Sequence, residues 1–167
     1  MSEFSDRVMQ QVPALRRYAR ALTGDPSAAD DLVQDCLERA WSRAHLWRRP
    51  DSLRAWLFAI MHNLHANQRR SASRRPQTDH LDEGAHSAVP ASQIETVHIN
   101  QVAGAVSMLA DDQRRVLLLV ALEGMKYEDV ARLLGVPIGT VMSRLSRARD
   151  RLRELMRRGG PVLRRVK

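Results

Sequence analysis

Apolar residues recur every three or four positions along most of the chain, and the pattern is sharpest near its end. Tyr127, Val130, Ala131 and Leu134 fall at helical spacing, with Glu128 and Asp129 in the first turn, where acids suit the helix dipole. Gly135 follows as a left-handed stop, and Pro137 suits the first turn of a new helix. That second helix carries Ile138, Val141, Leu145, Ala148, Leu152 and Leu155 on one stripe. Its opposite side shows Gly139, Met142, Ser143, Ser146 and Arg147, flanked by Thr140, Arg144 and Arg151. Two amphipathic helices joined by a tight corner, with short polar side chains and arginines facing outward, predict a helix-turn-helix. A helix of this kind fits the DNA major groove, and Arg and Ser reach base edges there. An ordinary helical corner with a solvated basic side is the competing explanation.

The rest of the chain predicts further helices. Phe4 to Leu22 places Val8, Val12, Leu15, Ala19 and Leu22 inward, with Pro13 as a kink or restart. In Thr23-Gly24-Asp25-Pro26, Gly24 ends one helix, Asp25 caps the next and Pro26 takes its first position. The second helix turns Ala29, Leu32, Val33, Cys36, Leu37, Ala40, Trp41 and Ala44 to one side, and Asp30, Asp31, Gln34, Asp35 and Glu38 to the other. A link around Trp47, Arg48 and Arg49 leads to a third helix, capped by Asp51 or Ser52. Its stripe is Leu53, Trp56, Leu57, Ile60, Met61 and Leu64; Phe58, His62, Asn63, His65, Asn67 and Gln68 lie off it, before Arg69, Arg70, Arg74 and Arg75.

Periodicity then lapses. Residues 71–92 contain Pro76, Gly84 and Pro90 with almost no apolar rhythm, which predicts a mobile linker between two domains. A helix over Ile94 to Leu109 buries Val97, Gln101, Val102, Ala105, Val106 and Leu109. Asp111 or Asp112 caps the next, whose apolar run Val116 to Leu122 stops at Gly124. Gly159-Gly160-Pro161 ends the last helix before a basic tail. The expected fold is all-α, with two small helical domains joined by a flexible linker. The boundaries are 1–72, a linker at 73–93, a second domain at 94–159 and a tail at 160–167.

Composition narrows the function. Aromatics are 4% of the 167 residues, which agrees with an all-α fold. A net charge of +8 suits a polyanionic partner. The single cysteine, Cys36, excludes an internal disulfide and fits a reducing compartment; on the apolar stripe it reads as a small core residue. No apolar run is long enough to span a bilayer, and the first residues lack the apolar core of a signal peptide, so stable membrane insertion is not expected and a cytoplasmic location is. The acidic side of the second helix is either solvated or a docking face for a basic partner; spacing leaves both open. Amides, a tryptophan and arginines around the third helix are what an opened nucleic acid requires, since bases stack on rings and amides bond to base edges. A surface helix with a basic C-terminus is the bland alternative.

GTVMSRLSRARDRL resembles the end of region 4 in bacterial sigma factors of the extracytoplasmic-function group, and the likeness extends over nearly the whole chain apart from linker and tail. DLVQDCLERAW (Asp31 to Trp41) is similar to region 2.2, which in that family docks on the β′ clamp helices of RNA polymerase; Asp31, Gln34, Asp35 and Glu38 are the implied contacts. RAWLFAIMHNLHANQRR (Arg54 to Arg70) resembles regions 2.3 and 2.4, which melt the −10 element. There the resemblance implies Trp47, Arg48, Arg49, Asn63, Asn67, Arg69 and Arg70 as DNA contacts, with Asn63 and Asn67 beside an extruded base and residues 47–52 as the loop that pockets it. Leu109 to Leu152 resembles the whole of region 4, which reads the −35 element. Its implied contacts are Thr140, Met142, Ser143, Arg144, Ser146, Arg147 and Arg151. The expected partners are core RNA polymerase (β′ clamp helices and β flap), promoter DNA and an anti-sigma factor. No cofactor, metal or catalytic step is implied, and the free chain is expected to be a monomer. ARALTGDPSAADDLVQD and RAWLFAIMHNL most resemble the general-stress type of alphaproteobacteria.

Three positions depart from the family pattern. Ala110 stands where Pro is usual, and Lys126 where Ser or Thr would cap a helix. Met142 stands where Lys or Arg is common, so one −35 contact is lost or becomes apolar. Two other classes remain to be weighed. A dimeric helix-turn-helix regulator explains the second domain but not RAWLFAIMHNL. An enzyme would need a third partner for His62 and His65, and no HExxH motif, phosphate loop or paired acids accompany them.

Overall fold

The computed structural model describes residues 2–47, 53–74 and 93–158. The described residues are helical almost throughout, in seven α-helices. The predicted linker over 73–93 falls largely outside them, as do the tail, the Asp51/Ser52 cap, Arg48 and Arg49.

The N-terminal half is a three-helix bundle: α1 (Ser2–Thr23), α2 (Pro26–Ser42) and α3 (Leu53–Ser73). α1 runs through Pro13, which sits on the exposed side beside Met9, whose carbonyl its ring leaves without a helical donor. Gly24 takes φ +72°, and the Asp25 side chain accepts from Ala28 N–H at 2.9 Å with Pro26 next, so the stop-and-cap forms as the residue types predict. Val8, Leu15, Leu22, Leu32, Leu57 and Met61 fill the core; Val12 is only half-buried. Cys36 is buried and its thiol donates to Leu57 C=O at 3.4 Å; burial pushes the thiol pKa up to about 12, a core residue with no thiolate chemistry.

The C-terminal half contains α4 (Gln93–Ser107), α5 (Asp111–Leu117), α6 (Tyr127–Leu134) and α7 (Ile138–Arg157). α4, α5 and α6 all pack on α7 over Val116, Leu119, Val130, Val141, Leu145 and Ala148. Arg114 ties the α4–α5 corner by donating to the carbonyls of Val106, Ser107 and Leu109, at 3.1, 2.6 and 2.9 Å. After α5 the chain widens into a π-helical stretch, Leu118–Leu122. Glu123 N–H donates five residues back to Leu118 C=O at 3.0 Å, and Gly124 turns out at φ +63°.

Several expectations need correction. Phe58 and His65, off the predicted stripe, are buried, because α3 is covered on two sides: by α1 and α2, and by the C-terminal half through α6. Val97 and Val102, predicted inside, are 38% and 42% exposed; only Ala105, Val106 and Leu109 at the end of that segment reach the core. Ile138 is 40% exposed, since the first turn of α7 projects past the core. The cap of α5 is Ala110, with Asp111 and Asp112 inside the first turn. Pro137 is the cap of α7 rather than its first residue; its carbonyl accepts from Thr140 and Val141 N–H.

Candidate nucleic-acid interface

α6 and α7 form the helix-turn-helix. Gly135 closes α6 at φ +66°, donating to Ala131 C=O, and Val136 N–H donates to the same carbonyl at 3.1 Å. With Val141, Leu145, Ala148 and Leu155 buried, the other side of α7 is left to solvent. Met142, Ser143, Ser146, Arg147 and Arg151 are exposed; Thr140 and Arg144 are half-buried at its edge. The arginines differ in their tethers. Arg144 Nε lies 3.4 Å from Asp112, and Arg151 donates to Glu154 at 2.9 Å, holding that carboxyl below the usual carboxylate range. Arg147 has no ion pair or hydrogen-bond partner among the described residues, so its guanidinium is available to a ligand.

On the N-terminal half, Asp31, Gln34, Asp35 and Glu38 are all exposed on α2. Gln34 donates to Glu38 at 3.1 Å, and Gln68 of α3 reaches Asp35 at 3.4 Å. A groove between α1 and α2 runs beside them, lined by Arg16, Val33, Leu37 and Trp41. This acidic side belongs to α2 of the N-terminal half, and the arginine-bearing side to α7 of the C-terminal half.

α3 splits the predicted −10 residues into two groups. Asn63, Asn67 and Arg70, spaced by four and three, share one exposed side. His62, His65 and Arg69 share another, which faces α5. Arg69 lies 3.8 Å from Asp111. Burial and then the Arg115 charge depress both histidines, His62 to about 4, so the pair is neutral at physiological pH. Trp47 is half-buried against Phe4, with ring centroids 5.3 Å apart and the Arg7 guanidinium 6.0 Å from its ring. It is therefore part of an aromatic cluster with Trp41 and Trp56; the rest of the predicted pocketing loop, residues 48–52, lies outside the described residues. Among the described residues no group of three or more His, Cys, Asp or Glu side chains is placed to hold a metal, and no helix is long and apolar enough to cross a membrane.

One functional cluster had no sequence signal. Glu123 lies between the apolar run Val116 to Leu122 and the Gly124 stop, and nothing in its spacing marks it. Its side chain is fully buried between Arg17 of α1 and Arg54 of α3.

Two family models match along the chain: the Sigma2 domain of PhyR over residues 8–62 and Sigma-70, region 4 over residues 99–152. The class of protein is thus a two-domain member of the sigma factors, with the helix-turn-helix inside the second match. The ECF RNA polymerase sigma factor EcfG of Rhodopseudomonas palustris is 35% identical over 153 residues, covering 90% of this chain and 83% of that protein. The ECF RNA polymerase sigma factor SigC of Mycobacterium tuberculosis is also 35% identical, over 79% of this chain and 72% of its own. In structure, the sigma factor RpoE of Bartonella quintana, solved with the anti-sigma factor NepR, superposes with a TM-score of 0.76 at 33% identity, covering 94% of this chain and 98% of that one. The chain belongs to the ECF RNA polymerase sigma factors.

Proposed function

We propose that this chain, a cytoplasmic protein, brings core RNA polymerase to a set of promoters, with no catalytic step of its own. Asp31, Gln34, Asp35 and Glu38 dock on the β′ clamp helices. Asn63, Asn67, Arg69 and Arg70, with Trp47, Arg48 and Arg49 at the loop, hold the opened −10 strand. Capturing a flipped base offsets the few kcal/mol that extruding it costs. Thr140, Met142, Ser143, Arg144, Ser146, Arg147 and Arg151 read the −35 duplex, and the second domain also meets the β flap.

The observation that carries the reading is the outer side of α7: an unpaired Arg147 beside the exposed Ser143 and Ser146, on a helix whose other side buries Val141, Leu145, Ala148 and Leu155. Phosphate contacts from Arg144 and Arg151 would set register while Arg147 faces bases. The likeness to a sigma factor solved with NepR supports control by an anti-sigma factor. Run-off transcription with bacterial core polymerase over a promoter library tests the reading. Initiation that depends on the added chain and selects both elements is expected. Tight duplex binding by a dimer of the chain, with no stimulation of polymerase, would replace it with the regulator reading.

A further inference from the structure

Glu123 is the one acid buried among the described residues, and the groups that hold it come from the other half of the chain. Arg17 donates through Nε to Oε1 at 3.1 Å and through Nη2 to Oε2 at 2.9 Å, a forked pair. Arg54 Nη2 donates to the same Oε2 at 2.7 Å and to the Glu123 carbonyl at 2.9 Å. Arg54 is itself steadied by Gln11 at 3.3 Å and lies over the Phe58 ring at 5.2 Å. The π-helical stretch and the positive-φ Gly124 fix where this carboxylate emerges. Two weaker ties cross the same seam: Arg69 with Asp111, and Arg114 Nη1 donating to Leu22 C=O at 3.4 Å. Left unpaired, a buried carboxylate is strongly unfavourable, whereas Arg17 and Arg54, with 52% and 38% of the side chain exposed, hydrate readily once released.

This packing conflicts with the proposed task. On the proposed reading the Arg147 side meets one duplex element and the Asn63–Asn67 side another, and each base pair between them adds about 3.4 Å. A compact chain of 167 residues has a radius of gyration of about 15 Å and is about 40 Å across. With α6 packed on α3, the separation of the Arg147 side from the Asn63–Asn67 side is fixed by the fold and cannot adjust to the spacing of two duplex elements.

We propose that Glu123 is a latch: gripped by Arg17 and Arg54, it holds the free chain closed, and its release is required before both promoter elements are engaged. What closure withholds depends on the sigma-factor reading; the latch itself does not. A partner that binds only the open chain must break it, and its apparent affinity falls by the fraction of chains that are open.

The test is a distance measurement on the full chain. Spin labels at Ser42→Cys and Arg149→Cys, both exposed and on opposite halves, report closed and open populations by dipolar spectroscopy. The native chain is expected to show one short-distance population. Glu123→Gln should lower the closed-to-open ratio by about thirtyfold or more, the scale for losing one partner of a buried charge pair. Arg17→Gln, at a half-exposed position that cannot unfold the bundle, should act in the same direction by about tenfold. Unchanged far-UV circular dichroism shows that both variants are folded. A native chain already open, or both folded variants keeping the native distribution, overturns the latch. Run-off transcription separates this from the function: variants that open but never support initiation leave the latch standing and sink the sigma role. Variants that initiate at lower core concentration with unchanged distances do the reverse.

Discussion

α3 and α7 are built alike and used differently. Both are helices of about twenty residues with an apolar stripe and a polar, arginine-bearing outer side. In α7 one stripe is buried, and Met142, Ser143, Ser146, Arg147 and Arg151 of the outer side stay exposed. α3 lies between α2 on one side and the C-terminal half on the other, so Phe58 and His65 are buried as well as Leu57 and Met61. Up to Asn67 its open surface is Asn63 and Asn67 alone, and it widens only in the last turns, from Gln68 to Ser73. A helix packed on one side declares its surface through periodicity; a helix packed on two does not, because the second covering comes from residues distant in sequence.

The sharpest way to break that comparison is at Phe58. Its ring meets Tyr18 edge-on at 5.2 Å and lies beneath the Arg54 guanidinium, joining the bundle to the seam. Phe58→Ala should cost about 3–5 kcal/mol, as truncating a fully buried aromatic usually does, and loosen the seam as well. Denaturant unfolding reads the first effect and the labelled-chain distances the second. If Phe58 were the solvent-facing residue its off-stripe position implies, the loss would stay near zero.

On α7 the comparison predicts a difference between neighbours. Arg147→Ala should weaken −35 recognition by about 1–3 kcal/mol, concentrated at one or two base pairs. Arg144→Ala, at a residue already paired with Asp112, should weaken all sequences about equally and less. Holoenzyme binding to a panel of −35 substitutions measures both. An equal loss on matched and scrambled duplexes for Arg147→Ala would reduce it to a phosphate contact.

The seam side of α3 should respond to acid. His62 and His65 face Asp111, Arg115 and Arg114 of α5, with Arg69 on their own helix, and their folded pKa values are depressed by burial and then by the Arg115 charge. A depressed histidine favours the folded arrangement while neutral. Its contribution is present above the open-state value near 6.5 and is lost as pH falls toward about 4. Closure should therefore weaken between about pH 6.5 and 4, and His62→Gln should flatten that dependence in the distance distributions. A closed population constant across the window would show that these histidines do not report on the seam.

Much of the fold was legible because its signals are local. Asp25-Pro26, Gly135 and the stripe Val141, Leu145, Ala148 act within a few residues of themselves, and Asp31, Gln34, Asp35 and Glu38 are exposed where their spacing puts them. What escaped depends on long-range packing. Glu123 is paired with residues 106 and 69 positions away. Trp47 packs on Phe4 from the far end of α1. Val97 and Val102 have apolar spacing, and no element among the described residues covers them.

The smallest expected effect is at the start of the helix-turn-helix. Lys126 is the cap of α6, at φ −68° and ψ 149°, and no side chain bonds there to the free N–H groups of the first turn. A serine in that backbone geometry accepts from N–H two or three residues on, which in this helix are those of Glu128 and Asp129. Lys126→Ser should raise stability by about 1 kcal/mol, measured by denaturant unfolding. It also removes a positive charge from the positive end of the helix dipole, which acts in the same direction. Lys126 is exposed and lies off the Glu123 clasp, so closed and open populations should not change. If the substitution stabilised the fold and also shifted those populations, α6 would be coupled to the latch through its first turn, and the independence of cap and seam would have to be abandoned.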